Sequence, residues 1–307
     1  MAASRPARRV GVLGLGSMGS GMAASLVRAG FAVTGFDPVA ACAARLAGAG
    51  GVVAASPAEA AAGAAIVVSV VVNAAQTEAV LFGPEGCAAV LGAGSVFVSC
   101  ATMAPEAVRP LAARLEARGV HFLDAPVSGG AARAAEGRLT ILASGSPAAF
   151  AAARPALGAM AATLHELGDA PGIGSGFKMV NQLLAGVHIA AACEAVAFGA
   201  ALGLDLARLY QVITGSAGNS WMFENRVPHI LQADYAPRSA VDIFTKDLGI
   251  VLDMARASTL PVPMASSALQ LFLMTAAAGM SRDDDASVAR LYARIAGLKL
   301  PEGSGAE

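Results

Sequence analysis

The chain has 307 residues, a length that at about 150 residues per domain points to two domains with cores large enough to stand without disulfides or metals. Hydrophobic residues make up 56% and charged residues only 14%, so the chain is not disordered and much of it must be buried. With 21 Lys plus Arg against 22 Asp plus Glu and no dense basic run, nothing is available to neutralise a phosphate backbone, which excludes nucleic acid as a partner.

In chain order, Val10 to Leu13 is a β-rich run and Met18 to Arg28 has helical spacing, after which Phe31 to Phe36 is again apolar and ends at Asp37. Ile66 to Val72, Val-rich and bounded by Gly63 and Asn73, reads as a strand buried on both faces. Val96 to Ser99, Val120 to Leu123 and Leu139 to Ala143 complete the set. Alternation of strand and helix at this spacing predicts an α/β domain over residues 1–170, built on a mostly parallel, doubly wound sheet. Past Pro171 the pattern changes. A helical run from about Gly176 to Gly203 is the longest in the chain, and Leu204 to Thr214, Trp221 to Leu231, Ser239 to Arg256, Met264 to Gly279 and Asp285 to Ala296 follow it. Residues 171–307 therefore read as an all-helical domain joined through a long connecting helix. The Ala-rich segments Ala58 to Ala65 and Ala148 to Ala162 read as surface helices, because Ala is a strong helix former.

Three stretches have a membrane-like average. Arg8 and Arg9 lead into an apolar Val10 to Ala29, but that run carries five glycines. Gly86 to Pro105 is split by Gly92 and Gly94, and Ala257 to Ser281 is cut by Pro261 and Pro263. All three are taken as core segments of a protein with no membrane partner. Cys42, Cys87, Cys100 and Cys193 lie far apart without C-x-x-C pairing, and the four histidines have no ligand spacing, so no metal is expected and a reducing cytoplasm is the simplest setting.

Gly14-Leu15-Gly16-Ser17-Met18-Gly19 is G-x-G-x-x-G, placed directly after a predicted strand and opening a predicted helix. Gly14 permits the tight turn, Gly16 removes a side chain where a pyrophosphate must approach, and Gly19 lets helix and strand pack closely; the helix N-terminus offers N–H groups to the phosphate. This is the fingerprint of a Rossmann-type dinucleotide domain. Asp37, at the end of the next strand, is placed to accept hydrogen bonds from ribose hydroxyls and to repel a 2′-phosphate, which favours NAD over NADP; a helix cap ahead of Pro38 is its alternative role. Methyltransferases share the glycine motif, so the chemistry must come from the rest of the chain.

Asp124-Ala125-Pro126-Val127-Ser128-Gly129-Gly130 resembles the substrate-binding signature of the β-hydroxyacid dehydrogenases, and Gly172-Ile173-Gly174-Ser175-Gly176-Phe177-Lys178 resembles their G-x-G-x-x-x-K catalytic signature. The likeness runs from Val10 to about Ala296 with the motifs in the family's order. Asn219 to Arg226 and Pro237 to Phe244 look most like the branch acting on L-threonate, which implies oxidation of a four-carbon sugar acid at C2 to 2-oxo-tetronate. The resemblance implies a substrate carboxylate held by Ser128, Gly129 and Gly130, a loop whose backbone N–H groups and hydroxyl suit an anion. It implies Lys178 as general acid/base; burial beside an oxidised nicotinamide favours the neutral amine that such a role requires. An Asn is common four residues after that Lys, whereas here Gln182 takes that position and Asn181 precedes it, so either amide could orient the substrate. Family cofactor contacts fall on Val72, Asn73, Thr102 and Lys246, with Asn73 a departure from the Pro many members carry.

Trp221 and Phe223 read by default as helix-core packing, with Trp221 or Asn225 as the alternative lining of a sugar-acid pocket. The sequence thus predicts NAD-dependent oxidation of a small hydroxy or sugar acid by a homodimer or homotetramer. 3-Hydroxyisobutyrate or tartronate semialdehyde are the alternative substrates, and a catalytically silent NAD-binding protein is the alternative of a different class.

Overall fold

The computed structural model describes residues 8–302. The chain divides into two compact units that meet at Lys178 and Met179. In the first, strands β1 (Arg9–Leu13), β2 (Ala32–Phe36), β3 (Val52–Val53), β4 (Ile66–Ser69), β5 (Val96–Ser99) and β6 (His121–Asp124) form an all-parallel sheet ordered β3-β2-β1-β4-β5-β6. Helices α1 (Ser17–Arg28), α2 (Ala40–Gly48), α3 (Pro57–Ala61), α4 (Ala74–Phe82) and α5 (Pro105–Glu116) supply the crossovers. This order reverses direction between β1 and β4, and the crevice beyond the carboxyl ends of those strands is where such sheets bind ligands.

Period-two alternation makes the sheet two-faced. Val10, Val12, Val33, Ile66, Val68, Val96, Val98 and Leu123 enter one core cluster. Leu13, Val67, Phe97 and Phe122 enter another on the opposite face, where the two phenylalanine rings lie 5.8 Å apart. All of β4 is buried, as its Val-rich sequence predicts, and each such side chain contributes about 1.5–3 kcal/mol through removal from water. The β4 strand ends at Ser69, however, and Val70 to Val72 are already loop.

A second, three-stranded sheet follows, of β7 (Val127–Ser128), β8 (Leu139–Ala143) and β9 (Ala161–Glu166), with helices α6 (Gly130–Glu136) and α7 (Pro147–Met160). Leu139 to Ala143 thus leaves the parallel sheet, because β7 pairs with it antiparallel. Strand β9 is mostly exposed and gives no apolar run, so nothing in its sequence separates it from the Ala-rich α7 before it.

Helix α8 (Ile173–Ala201) opens in the first unit and continues into the second, which begins at Met179 rather than at the Pro171 that composition suggests. Its first turn is bonded to β6, which assigns that turn to the sheet unit. The second unit is helical throughout: α9 (Leu206–Thr214), α10 (Trp221–Leu231), α11 (Val241–Ala257), α12 (Pro263–Thr275) and α13 (Val288–Ala296). Ile189, Cys193, Val196, Phe223, Phe244, Leu248 and Phe272 form its core, with Phe244 stacked on Phe272 at 5.1 Å. A buried polar set secures α10 within it: Arg226 donates through Nε and Nη2 to the two Asp285 carboxylate oxygens, and His229 Nδ1 lies 2.9 Å from Asp284 Oδ1. The three membrane-like stretches resolve into β1 with α1, β5 with its flanking loops, and α12. Among the described residues α8 is instead the helix long and apolar enough to cross a membrane, with a mean hydropathy of 1.7 over an 18-residue window that is half buried in the protein.

Candidate active site

At the carboxyl end of β1 the glycine motif does three different things. Gly14 has φ +90°, and a Cβ there would stand 2.9 Å from the Val70 carbonyl oxygen. At Gly19 a Cβ would fall 2.0 Å from the Gly14 carbonyl oxygen, so helix and loop touch through backbone alone. Around Gly16, by contrast, a Cβ would meet nothing within 4 Å, which leaves open space at the start of α1. That helix begins with no side-chain cap and no acidic residue in its first turn, so its N–H groups face that space. Leu15, between the first two glycines, is pinned from both sides. Its N–H donates to Asp37 Oδ2 at 2.7 Å, and its carbonyl accepts from Arg45 Nη2 at 3.2 Å and from the Ser20 hydroxyl.

Asp37 has a second local duty, since Oδ1 accepts the Val39 N–H at 2.8 Å. Each oxygen keeps a further lone pair, so the carboxylate braces the loop and turn while remaining an acceptor for a hydroxyl. Beside it Phe36, Asp37, Pro38, Ala43, Val53 and Ala54 line an open depression of about 560 Å³. Open space at Gly16, an uncapped helix start, an acidic strand end and an adjoining apolar depression fit the pyrophosphate, ribose and base of a dinucleotide.

Val72 and Asn73 lie just past β4, and Thr102 just past β5, on the same edge of the sheet. Asn73 serves as N-cap of α4, its Oδ1 accepting the Gln76 N–H at 2.8 Å, while the Gln76 side chain accepts the Val72 N–H at 2.9 Å. This capping role accounts for the Asn at this position.

The Ser128 loop connects β7 to α6. Gly129 at φ +133° and Gly130 at φ +78° both adopt backbone conformations that other residues avoid, and α6 begins there with no side-chain cap. Strand β6, which precedes β7 in the chain, ends on Asp124, a residue 1% exposed. Asp124 Oδ2 accepts the Gly172 N–H at 3.0 Å, the Ser175 N–H at 2.8 Å and the Ser144 hydroxyl at 3.4 Å, while Oδ1 accepts the Ser175 hydroxyl at 2.7 Å. Ser144 Oγ in turn accepts the Gly174 N–H at 2.9 Å. Burial pushes the Asp124 carboxyl above the ordinary carboxylate range, against the pull of these hydrogen bonds. Gly174 allows the approach, since a Cβ there would sit 2.3 Å from the Leu142 carbonyl oxygen. Lys178, 7% exposed, follows on the next turn of α8.

In the second unit, Asn181, Gln182 and Lys246 gather round one carboxylate that the sequence did not single out. Gln182 Nε2 and Lys246 Nζ both bond to the buried Asp247, and Asn181 Nδ2 donates to Gln182 Oε1 at 3.0 Å. The two amides are therefore linked members of one network, with Gln182 the buried one. Asp247 was missed because Gln182 lies 65 positions before it in the chain. Trp221 and Phe223 part company: Phe223 is buried and stacked on Tyr210, whereas Trp221 is 48% exposed at the start of α10. Asn225 is exposed, and its Oδ1 accepts from Arg226.

Burial pushes the Cys87 and Cys100 thiols up to about 12, with the Asp124 charge adding to the shift at Cys100, and it raises Cys193 further. These groups stay protonated at neutral pH, and among the described residues no three His, Cys, Asp or Glu side chains cluster as metal ligands.

Comparison with known proteins places these features. Residues 9–168 match the family described as the NAD binding domain of 6-phosphogluconate dehydrogenase. Residues 172–292 match that described as NAD-binding of NADP-dependent 3-hydroxyisobutyrate dehydrogenase. L-threonate dehydrogenase of Cupriavidus necator is 52% identical over 96% of this chain and 98% of its own length. The enzyme of that name from Escherichia coli K12 is 45% identical over 95% and 96%. A crystal structure of 3-hydroxyisobutyrate dehydrogenase from Salmonella typhimurium is 47% identical, with a TM-score of 0.88 over 92% of this chain and 99% of that one. Fold, cofactor crevice, motif order and relatives agree, and the chain belongs to the β-hydroxyacid dehydrogenase family of NAD-dependent oxidoreductases.

Proposed function

We propose that this protein oxidises L-threonate at C2 to 2-oxo-tetronate, with NAD as hydride acceptor and Lys178 as general acid/base. The chemistry rests on one observation above others: a lysine buried to 7% exposure, one turn beyond a helix start fixed by a buried carboxylate. The choice of substrate rests on the likeness to the L-threonate dehydrogenases.

Each part has a chemical task. The Gly16 to Gly19 N–H groups take the pyrophosphate, and Asp37 accepts the adenosine ribose hydroxyls and disfavours a 2′-phosphate. Val72, Asn73 and Thr102 line the cofactor's path along the strand ends, and Lys246 completes its contacts. Bound NAD supplies the electrophilic ring carbon that receives the hydride. Ser128, Gly129 and Gly130 bind the substrate carboxylate through a hydroxyl and backbone donors. Lys178 takes the C2 hydroxyl proton as the neutral amine, and the Asn181–Gln182 pair orients the remaining hydroxyls.

Exposed apolar side chains support a homodimer or homotetramer. In the second unit Val187, Phe198, Met264 and Leu271 line a groove of about 330 Å³, and Phe198 and Met264 are 65% and 66% exposed. Four free thiols support a cytoplasmic setting.

A second reading, oxidation of 3-hydroxyisobutyrate, is favoured by the likeness to the Salmonella structure. One assay separates the readings: NADH formation from L-threonate, D-erythronate, 3-hydroxyisobutyrate and glycerate under identical conditions. L-threonate is expected to give the highest kcat/KM. A higher value for 3-hydroxyisobutyrate would transfer the assignment to that acid. NAD binding without turnover of any of the four would replace both readings with a non-catalytic NAD-binding role.

A further inference from the structure

The Asp124 side chain accepts four hydrogen bonds, yet its position is three residues ahead of the Val127–Ser128 strand, and nothing in the proposed chemistry uses it. Its backbone is tied as firmly as its carboxylate. The Asp124 N–H donates to the Ser144 carbonyl at 3.0 Å, and the Ser144 N–H returns to the Asp124 carbonyl at 2.8 Å. From this fixed point the carboxylate reaches the N–H groups of Gly172 and Ser175, acting as an N-cap delivered to α8 from a strand 48 and 51 positions away in sequence. Ser144 extends the clamp through Gly174. Ser175 and Lys178 are three apart on the helix and share a face, so a shift of the capped turn moves the amine with it.

We infer that Asp124 is a positioning residue for the reaction, locking the start of α8 to the end of β6, three residues before the Val127–Ser128 strand, and so fixing the Lys178 amine relative to the bound carboxylate. This inference rests on the proposed role of Lys178. Oδ2 faces the Gly172 and Ser175 N–H groups, which can only donate, whereas Oδ1 faces the Ser175 hydroxyl, which donates here and is also able to accept. Asn in its place keeps an acceptor toward the two N–H groups only by turning its NH2 to the Ser175 hydroxyl, which reverses that bond, and it removes the charge that strengthens all four contacts. Gly174 leaves no slack, because a Cβ on it would stand 2.3 Å from the Leu142 carbonyl oxygen.

The test uses the full chain with NAD and L-threonate and compares D124N, S175A, K178M and D124N/K178M. Misplacement of a catalytic group by about 1 Å costs on the order of a hundredfold, so D124N is expected to lower kcat by about that factor. NAD affinity is expected to stay within about twofold of wild type, because the dinucleotide contacts are elsewhere. The solvent deuterium isotope effect on kcat is expected to rise as proton transfer becomes limiting, a change that a loss of stability alone would not produce. S175A, which removes one donor and spares the carboxylate, is expected to show the same signature with a fall of about tenfold, and it decides the matter if D124N does not fold. Added to K178M, D124N is expected to cost nothing further, since it acts through the amine. Unchanged kcat in D124N and S175A, NAD affinity lost in step with kcat, or an additive loss in the double variant would overturn the inference while leaving Lys178 in its role. Near wild-type turnover in K178M would instead remove the role on which the inference depends.

Discussion

Asp37 illustrates how one side chain carries a local and a functional duty at once. Its carboxylate holds the Leu15 N–H at 2.7 Å and the Val39 N–H at 2.8 Å, so the group placed to meet the ribose also sets the shape of the glycine turn. Substituting Ser for Asp37 removes the charge that opposes a 2′-phosphate and weakens the turn. The expected result is a KM for NAD about tenfold higher, the equivalent of one lost hydrogen bond, together with a narrowed preference over NADP. A wild-type preference for NADP when the two are compared at equal concentration would show that Asp37 does not select the cofactor. Residues of this kind were legible because the fingerprint places them at fixed spacing from the glycines. The roles of Asp124, although it opens the Ser128 signature, and of Asp247 were not, because what defines them is a set of partners 20 to 51 positions away for the one and 65 for the other.

Among the elements, those with strong periodicity or punctuation stood out from the sequence. The Val-rich β4 is buried throughout, and α10 runs from Trp221 to Leu231 as its spacing predicts, although Pro228 lies inside it. Less was visible in the second sheet: β7 has two residues, and β9 presents mainly exposed side chains, so neither carries a hydrophobic pattern of its own. The two outer glycines of the fingerprint and the middle one should respond differently to substitution. Gly16 has φ −63° and open space, so Gly16→Ala is expected to keep the melting temperature of wild type while losing NAD affinity, because the added methyl occupies the pyrophosphate position. Gly19→Ala forces a methyl against the Gly14 carbonyl and is expected to cost about 1–3 kcal/mol in chemical denaturation. Equal NAD affinity in Gly16→Ala and wild type would separate the loop from cofactor binding.

For the molecule as a whole, the high apolar content has identifiable destinations. Two clusters cover the faces of the parallel sheet and a third fills the helical unit. The remainder includes exposed Phe198, Met264 and Ile295, the last 69% exposed in the single chain. Sedimentation velocity at micromolar concentration is expected to find a dimer or tetramer, and a monomer would leave those side chains without the partner proposed for them. The proposed reaction depends above all on Lys178, and the most direct measurement is turnover of L-threonate by K178M alongside its NAD affinity. Loss of turnover by about a hundredfold or more with NAD affinity retained is the expected result. Turnover near that of wild type would contradict the assignment of Lys178 as the acid/base of the reaction.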